Sequence, residues 1–342
     1  MTNPAQALLI ASLLMALFAV CFWPNRGFIW QWQKGRRNSQ KVLLEDALKH
    51  LYHQEYKGRV GSLESLSGAL EINRDRAAEL VANLESLELL KAHQDGFELS
   101  AEGRSSALRI IRVHRLWERY FADETGLAET QWHVEAEKRE HKTSPAEAEA
   151  LARQMGNPFH DPHGDPIPTA NGELPPHQGK PLTDLPVGET ARITHLEDEP
   201  EALYAELVAQ GLYPGMKIRV LNKSAERIQF IADGEEIKLA PVVAANVTIV
   251  PLPKEHKVEG PFESLSSLKM GEAGLVLGIS KACRGLQRRR LMDLGLVPGT
   301  VVTAALKSAS GNPTAYDIRG AMIALRKDQA NLVHIQRQEV TV

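Results

Sequence analysis

Six side chains between positions 114 and 141 have the types and spacing of a divalent-metal site: His114, Glu118, His133, Glu137, Glu140 and His141. His114 and Glu118 are one helical turn apart, so on a helix both project from one side. His133, Glu137, Glu140 and His141 run i, i+4, i+7, i+8, which lines a single stripe of a second helix. Imidazole nitrogens and carboxylate oxygens on two such stripes can close around one ion. With no thiolate among them, the donor set favours Mn2+, Fe2+ or Zn2+. Pair by pair the same residues could be solvated helix charges; the consistent spacing of all six is what argues for a site. No nucleophile–base pair, phosphate loop or HExxH signature accompanies them, so the chain is not read as an enzyme.

The elements ahead of this cluster read as helices and a hairpin. VLLEDALKHLYHQEY has apolar residues at helical period, ended by Gly58 and Gly61. SLESLSGAL is a short helix with Ser62 as its cap, EIN is a tight turn, and Asn73 caps RDRAAELVANLESLELL. KAHQDGFELSAEGR then carries Asp95-Gly96 as a hairpin signal between two short strands. Three helices and a β-ribbon make a winged helix-turn-helix, which lays its second motif helix in the DNA major groove. The candidate DNA-contacting residues are Asn73, Arg74, Arg76 and Glu79. The arginines suit phosphates or guanine edges, and an acidic side chain can accept from cytosine, although Asp75 and Glu79 would repel phosphate. Winged helices also serve as protein-interaction modules, and this one is not strongly basic. Arg104, Arg109, Arg112, Arg115 and Arg119 form a basic run beyond the wing, read as a solvated or dimer-facing helix surface.

A length of 342 residues implies two to four folded units, and a net charge of -3 gives no global pull toward nucleic acid or anionic lipid. Two distant cysteines, Cys21 and Cys283, fit a reducing cytoplasm rather than a disulfide framework. Ala5 to Trp23 carries no charge and is just long enough to cross a bilayer. Trp23, Trp30 and Trp32, followed by Lys34, Arg36 and Arg37, predict a single-pass anchor in a bacterial inner membrane, amino end outside and the rest in the cytoplasm. A cleaved signal peptide is the competing reading, but the basic n-region and a small-x-small cleavage site are missing.

Residues 153–182 are dense in Pro, Gly, Asp and His, which implies an ordered turn followed by a linker. His160 and His163 in that turn could add ligands or stand as ordinary turn residues. Beyond it the chain repeats itself. LPVGE (Leu185–Glu189) leads to GLYPG (Gly211–Gly215), and LKMGE (Leu268–Glu272) leads to GLVPG (Gly295–Gly299), with alternating strands flanking both. Short strands, tight turns and one small helix per copy predict two SH3-like barrels, a kind of tandem module more often used for recognition than catalysis.

Together the winged helix, the ligand stripes and DPHGDPIP resemble the diphtheria-toxin-repressor family, which includes the manganese transport regulators. The resemblance implies a metal site between DNA-binding and dimerisation helices that sets the dimer geometry for operator binding. His114 and Glu118 fall on the family's RxHRLxE pattern (here RVHRLWE), and Glu137, Glu140 and His141 on its x-x-E-H pattern (EKREH). Asp46 occupies the place of an aspartate in the manganese branch and a methionine in the iron branch. Glu137 stands where the iron branch often has cysteine. Both harder ligands put Mn2+ ahead of Fe2+, with Zn2+ third. Lys49 stands where the manganese branch has a second carboxylate, and His133 with His114 and Glu118 is similar to the ancillary site of the iron branch. Each carboxy-terminal repeat is similar to the FeoA domain, the second copy almost throughout, and the anchor with GFIWQW is similar to the junction between metal-transporter permeases and fused regulator domains.

The expected architecture is a multidomain α+β chain. It comprises a membrane anchor with a basic juxtamembrane segment (1–38), a winged helix-turn-helix (39–104), metal-binding and dimerisation helices (105–160), a Pro/Gly-rich linker (161–181) and FeoA-like SH3 barrels (182–253 and 262–338). The expected metal ligands are Asp46, His114, Glu118, His133, Glu137, Glu140 and His141. The expected role is a tethered, homodimeric, metal-dependent regulator of metal uptake that binds operator DNA. The competing role is a membrane-anchored transporter accessory whose winged helix does not bind DNA.

Overall fold

The computed structural model describes Met15 and residues 40–93, 96–175, 179–232, 235–253 and 262–338. The expected span at Ala5–Trp23 lies outside these apart from Met15, and among the described residues no helix is long and apolar enough to cross a membrane. The chain divides into two compact units: residues up to Ile111 with Ala170–Glu173, and Arg112–Thr169 with Leu174–Val342.

In the first unit, helices α1 (Gln40–Tyr56), α2 (Leu63–Leu70) and α3 (Arg74–Ser86) are followed by the hairpin β1 (Leu90–His93) and β2 (Gly96–Leu99). This is the expected order of a winged helix. Ser62 begins α2 with a capping box: its hydroxyl accepts from Ser65 N–H, and the Ser65 hydroxyl answers at Ser62 N–H. Glu71 turns the chain in the left-handed region, φ 52°, and Asn73 caps α3 by accepting from Arg76 N–H at 2.8 Å. Leu43, Leu48, Leu51, Leu66, Leu80, Leu84 and Leu90 form one buried core beneath these elements. Gly96 pairs with His93, and Asp95 of the expected Asp95-Gly96 signal lies outside the described residues. Because Asn73 supplies the oxygen that terminates α3, Asn73→Ala should cost about 1 kcal/mol of stability in denaturant unfolding.

Helix α4 (Ala101–Glu124) begins in the first unit and ends in the second. There, α5 (Trp132–Glu140) and α6 (Pro145–Gln154) pack on it. Phe121 and Ala122 meet Trp132 and Ala136; Val113 and Leu116 meet Ala148, Leu151, Ala152 and Ile167. Ser144 starts α6 with a second capping box through Glu147, behind Pro145 at the first helical position. The arginines of α4 are less solvated than their spacing suggests. Arg112 is 14% exposed and binds Glu149 at 2.8 Å and Pro168 O at 2.7 Å; Arg115 is 13% exposed, beside Asp165 at 3.3 Å and Asp161 at 3.7 Å.

The expected linker begins later than Asp161. Residues 161–167 form an ordered turn in which Asp161, His163, Gly164, Pro166 and Ile167 are buried. One carboxylate oxygen of Asp161 accepts from the N–H groups of His163, Gly164 and Asp165, each at 2.9 Å. This is local side-chain-to-backbone bonding that proline-rich sequence permits where helix and strand ladders do not form.

Both repeats fold alike. In the first, β3 (Lys180–Pro181), β4 (Thr190–Leu196), β5 (Lys217–Lys223), β6 (Ile228–Ala232), β7 (Glu235–Leu239) and β8 (Val247–Pro251) are ordered β3-β8-β4-β5-β6-β7. In the second, β9 (Glu263–Ser264), β10 (Ala273–Ile279), β11 (Val301–Lys307), β12 (Thr314–Ile318), β13 (Ala321–Leu325) and β14 (Val333–Gln338) repeat that order, with every pairing antiparallel. Helices α7 (Glu201–Ala209) and α9 (Gly285–Asp293) follow the long first strands; α8 (Pro241–Ala244) and α10 (Lys327–Asn331) precede the last ones. Equivalent glycines make equivalent bonds: Gly188 N–H to Val220 O and Gly271 N–H to Ala304 O, then Gly215 N–H to Ile193 O and Gly299 N–H to Val276 O. All four have φ between 83° and 99°, the left-handed backbone the GE and PG signals require.

Candidate metal centre

Packing α5 on α4 brings three donor atoms together in the second unit. His114 Nε2 lies 2.9 Å from Glu118 Oε1 and 3.2 Å from His133 Nδ1, and His133 Nδ1 lies 3.1 Å from Glu118 Oε1. His114 and Glu118 are 5% and 1% exposed, so water does not solvate these groups. For bonds of about 2.1 Å, neighbouring octahedral ligands stand about 3.0 Å apart and tetrahedral ones about 3.4 Å. The triangle, 2.9–3.2 Å on a side, is small enough for all three atoms to reach one ion.

The other nitrogen of His114 fixes what the first can do. Its Nδ1–H donates to Glu140 Oε2, a buried carboxylate that can only accept while ionised. Nε2 is then left as a lone pair, pointing at the lone pairs of Glu118. This is the carboxylate–histidine–metal arrangement, in which an outer carboxylate orients the ring and raises its basicity. Facing lone pairs at this distance need a proton or a cation between them. Without a metal, protons do this work. Burial disfavours charge on His133, but the carboxylates of Asp198, Glu118 and Glu137 push its imidazole up to about 12. Burial likewise opposes the Glu118 carboxylate, and the imidazoles of His114 and His163 outweigh it and hold Glu118 well below the usual carboxylate range.

Around this triangle is a second layer of ionic groups, built by the 161–167 turn and the first repeat. Asp165 takes Arg115 on one side and His195 of β4, at 3.5 Å, on the other. Burial opposes its ionisation, yet those two cations hold it far below the usual range. Asp161 is pushed the other way, well above it, by burial and by the neighbouring charges of Asp165 and Glu118. Asp198, between β4 and α7, reaches in: its Oδ2 is 3.3 Å from His133 Nδ1 and 3.8 Å from His163 Nδ1.

Of the residues the sequence pointed to, His114, Glu118 and His133 converge directly. Glu140 stands behind His114, with its other oxygen 3.3 Å from His141 Nε2. Glu137 is on the outer face of His133, 3.6 Å from Nε2 and 41% exposed, and is not among the convergent donors. Asp46 is on α1 in the first unit, at intermediate burial. The second-layer residues Asp161, Asp165, His195 and Asp198 were not anticipated. The Asp-rich turn motif carried a signal for the first two. Asp198 had none beyond an acidic run between strand and helix, because only tertiary packing brings it to α5. Arg74 and Arg76, at the start of α3, are exposed but paired, with Glu64 at 3.1 Å and Glu79 at 2.7 Å.

Comparison with known proteins points the same way. Residues 100–169 match the iron dependent repressor metal binding and dimerisation domain, and residues 180–251 and 263–337 each match the FeoA domain. The diphtheria toxin repressor of Corynebacterium glutamicum is 29% identical over 225 residues, covering 62% of this chain and 95% of that one. The iron-dependent repressor IdeR of Mycobacterium leprae is 28% identical over 208 residues, covering 55% and 88%. Among solved structures, a manganese-dependent transcriptional repressor in complex with manganese superimposes with TM-score 0.55 at 27% identity, over 60% of this chain and 100% of the other.

Proposed function

We propose that this chain, a member of the diphtheria-toxin-repressor family of metal-dependent regulators, binds operator DNA as a homodimer when a divalent ion sits between His114, Glu118 and His133. The observation that carries this reading is the triangle of donor atoms, 2.9–3.2 Å apart, behind which Glu140 orients His114. A donor set of imidazole and carboxylate without thiolate favours Mn2+, then Fe2+, with Zn2+ third. Asp46, Glu137 and His141 are proposed as further ligands on the family resemblance. The apolar stretch at Ala5–Trp23 is proposed as a tether to the membrane. The ion acts as an effector only through differential affinity: it must bind the DNA-competent arrangement more tightly than the other.

The test is fluorescence anisotropy of the full chain on DNA from its own promoter, with and without Mn2+, across a salt series. Tight binding only with metal, weakening steeply as salt rises, is the expected result. No binding in low salt with Mn2+ present would overturn the regulator reading in favour of a transporter accessory.

Metal uptake should also release protons. With His133 pushed up to about 12, the metal-free centre holds a proton throughout the neutral range, and an ion must expel it. Apparent affinity should therefore rise with pH, about tenfold per unit for each proton released. Calorimetry in buffers of different ionisation enthalpy reads the number directly, and a value of zero at pH 7 would contradict the assignment of His133.

A further inference from the structure

Three arginines from three separate pieces of the chain line one cavity. Arg119 comes from α4, Arg192 from β4 of the first repeat, and Arg284 from the residue before α9 in the second. His160 and the 161–167 turn supply another part of the wall. The cavity has a volume of about 580 Å³, the size of a small-molecule site. His114, Glu118 and His133 take no part in its lining.

The protein neutralises little of this charge. Among the described residues, neither Arg192 nor Arg284 makes an ion pair or a hydrogen bond. Arg119 Nε lies 2.5 Å from Asp123 Oδ2, but off the N–H direction, and the buried Nε is left without a hydrogen-bond partner among the described residues. The Asp161 carboxylate, on the wall, is already used: one oxygen accepts the three N–H groups of its turn, and the other is 3.7 Å from Arg115. Arg115 itself, matched by Asp161 and Asp165, lies outside the cavity. Glu129 feels the Arg284 charge, yet burial keeps its carboxyl above the usual range. Guanidinium groups do not shed their protons to relieve the crowding.

The FeoA fold does not ask for these side chains. Strand bonding pairs Ile193 with Val276 in the two copies, which puts Leu275 at the place of Arg192. Arg284 precedes α9 where Pro200 precedes α7. Each copy builds the same sheet without the other's arginine. What the two arginines share is the cavity.

We propose that this cavity binds the phosphate group of a small soluble molecule, and that the bound phosphate ties the two repeats to α4. A guanidinium fork matches phosphate oxygens two at a time, and all three cations on the wall drawn from α4 and the repeats are arginine rather than lysine. The site needs no metal, so it stands apart from the metal-centre reading.

The experiment is calorimetric titration of the metal-free full chain with sodium pyrophosphate, which should report one site per chain. Arg192→Leu, which copies the second repeat, and Arg284→Gln should each weaken binding about 10–100-fold, the loss expected when a hydrogen bond between ions is removed. Arg290→Gln removes an exposed charge of α9 outside the cavity and should bind as wild type. Wild-type affinity in either folded cavity variant, equal weakening in all three variants, or no pyrophosphate binding would overturn the site. Cosedimentation with phosphatidylcholine vesicles, with and without phosphatidic acid, separates the two sources of phosphate. Phosphatidic-acid-dependent binding lost in the two cavity variants, without pyrophosphate binding, would assign the arginines to a lipid headgroup and overturn the soluble ligand.

Discussion

Glu118→Gln should abolish metal-dependent operator binding while leaving the chain folded. The amide has the size of the carboxylate, so the packing of α4 against α5 is preserved. What it removes is the negative charge shared by His114 Nε2 and His133 Nδ1. The group is 1% exposed, so water cannot take its place. Losing an outer-shell partner of a metal ligand typically costs about 10–100-fold in affinity. Losing the shared ligand itself should cost more, and the loss should appear in Mn2+ titration and in anisotropy alike. The metal-free variant should unfold at a lower temperature than wild type, because the imidazoles that hold Glu118 ionised lose their buried partner, so the titration is read below that transition. Retention of wild-type Mn2+ affinity by the folded variant would remove Glu118 from the ligand set.

The outcome separates two kinds of information in the sequence. His114 and Glu118 were legible because a helix fixes their relation: four residues apart means one face, whatever surrounds it. His133, Glu137, Glu140 and His141 were legible as a stripe for the same reason. The division of labour within the stripe was not. Trp132 and Ala136 are the apolar contacts that seat α5 on α4, and they turn His133 and Glu140 inward while Glu137 stays on the outer edge. Side-chain packing sets that rotation, and spacing alone does not report it. The repeat was legible down to its turns, since glycine with φ > 0 is a local requirement that recurs wherever the same bond recurs. The 161–167 turn was half legible. Its prolines excluded helix and strand, but its burial depends on Arg115 and on the end of β4, both remote in sequence.

The buried arginine also changes how α4 is understood. Evenly spaced arginines on a helix suggest a wet, basic face. Yet Arg112 and Arg115 are spent on Glu149, Asp161, Asp165 and two proline carbonyls. Their role is to hold the 161–167 turn against the helix that carries His114 and Glu118. Charge at these two positions is therefore internal, whereas Arg74 and Arg76 at the start of α3 are exposed.

That turn is where a single methyl group should do most damage. Gly164 has φ +101°, and a Cβ there would fall 1.9 Å from Thr194 O and 2.9 Å from His195 Cα. Both neighbours are backbone of β4, held in the sheet, so neither can move aside as a side-chain tip would. Gly188 supplies the control: its φ is +83° but nothing lies within 4 Å of its Cβ position. Gly188→Ala should cost only the left-handed backbone penalty, about 1–2 kcal/mol. Gly164→Ala carries that penalty plus the clash, and should cost about 3 kcal/mol or more in urea unfolding. The two variants should differ in kind as well. Relieving the clash means moving the turn off β4, which breaks the bond from Leu196 N–H to His163 O and carries the ring away from Glu118 and Asp198. Mn2+ affinity should fall in Gly164→Ala and stay unchanged in Gly188→Ala. Equal Mn2+ binding by both would mean that the turn supports the fold without positioning the metal centre.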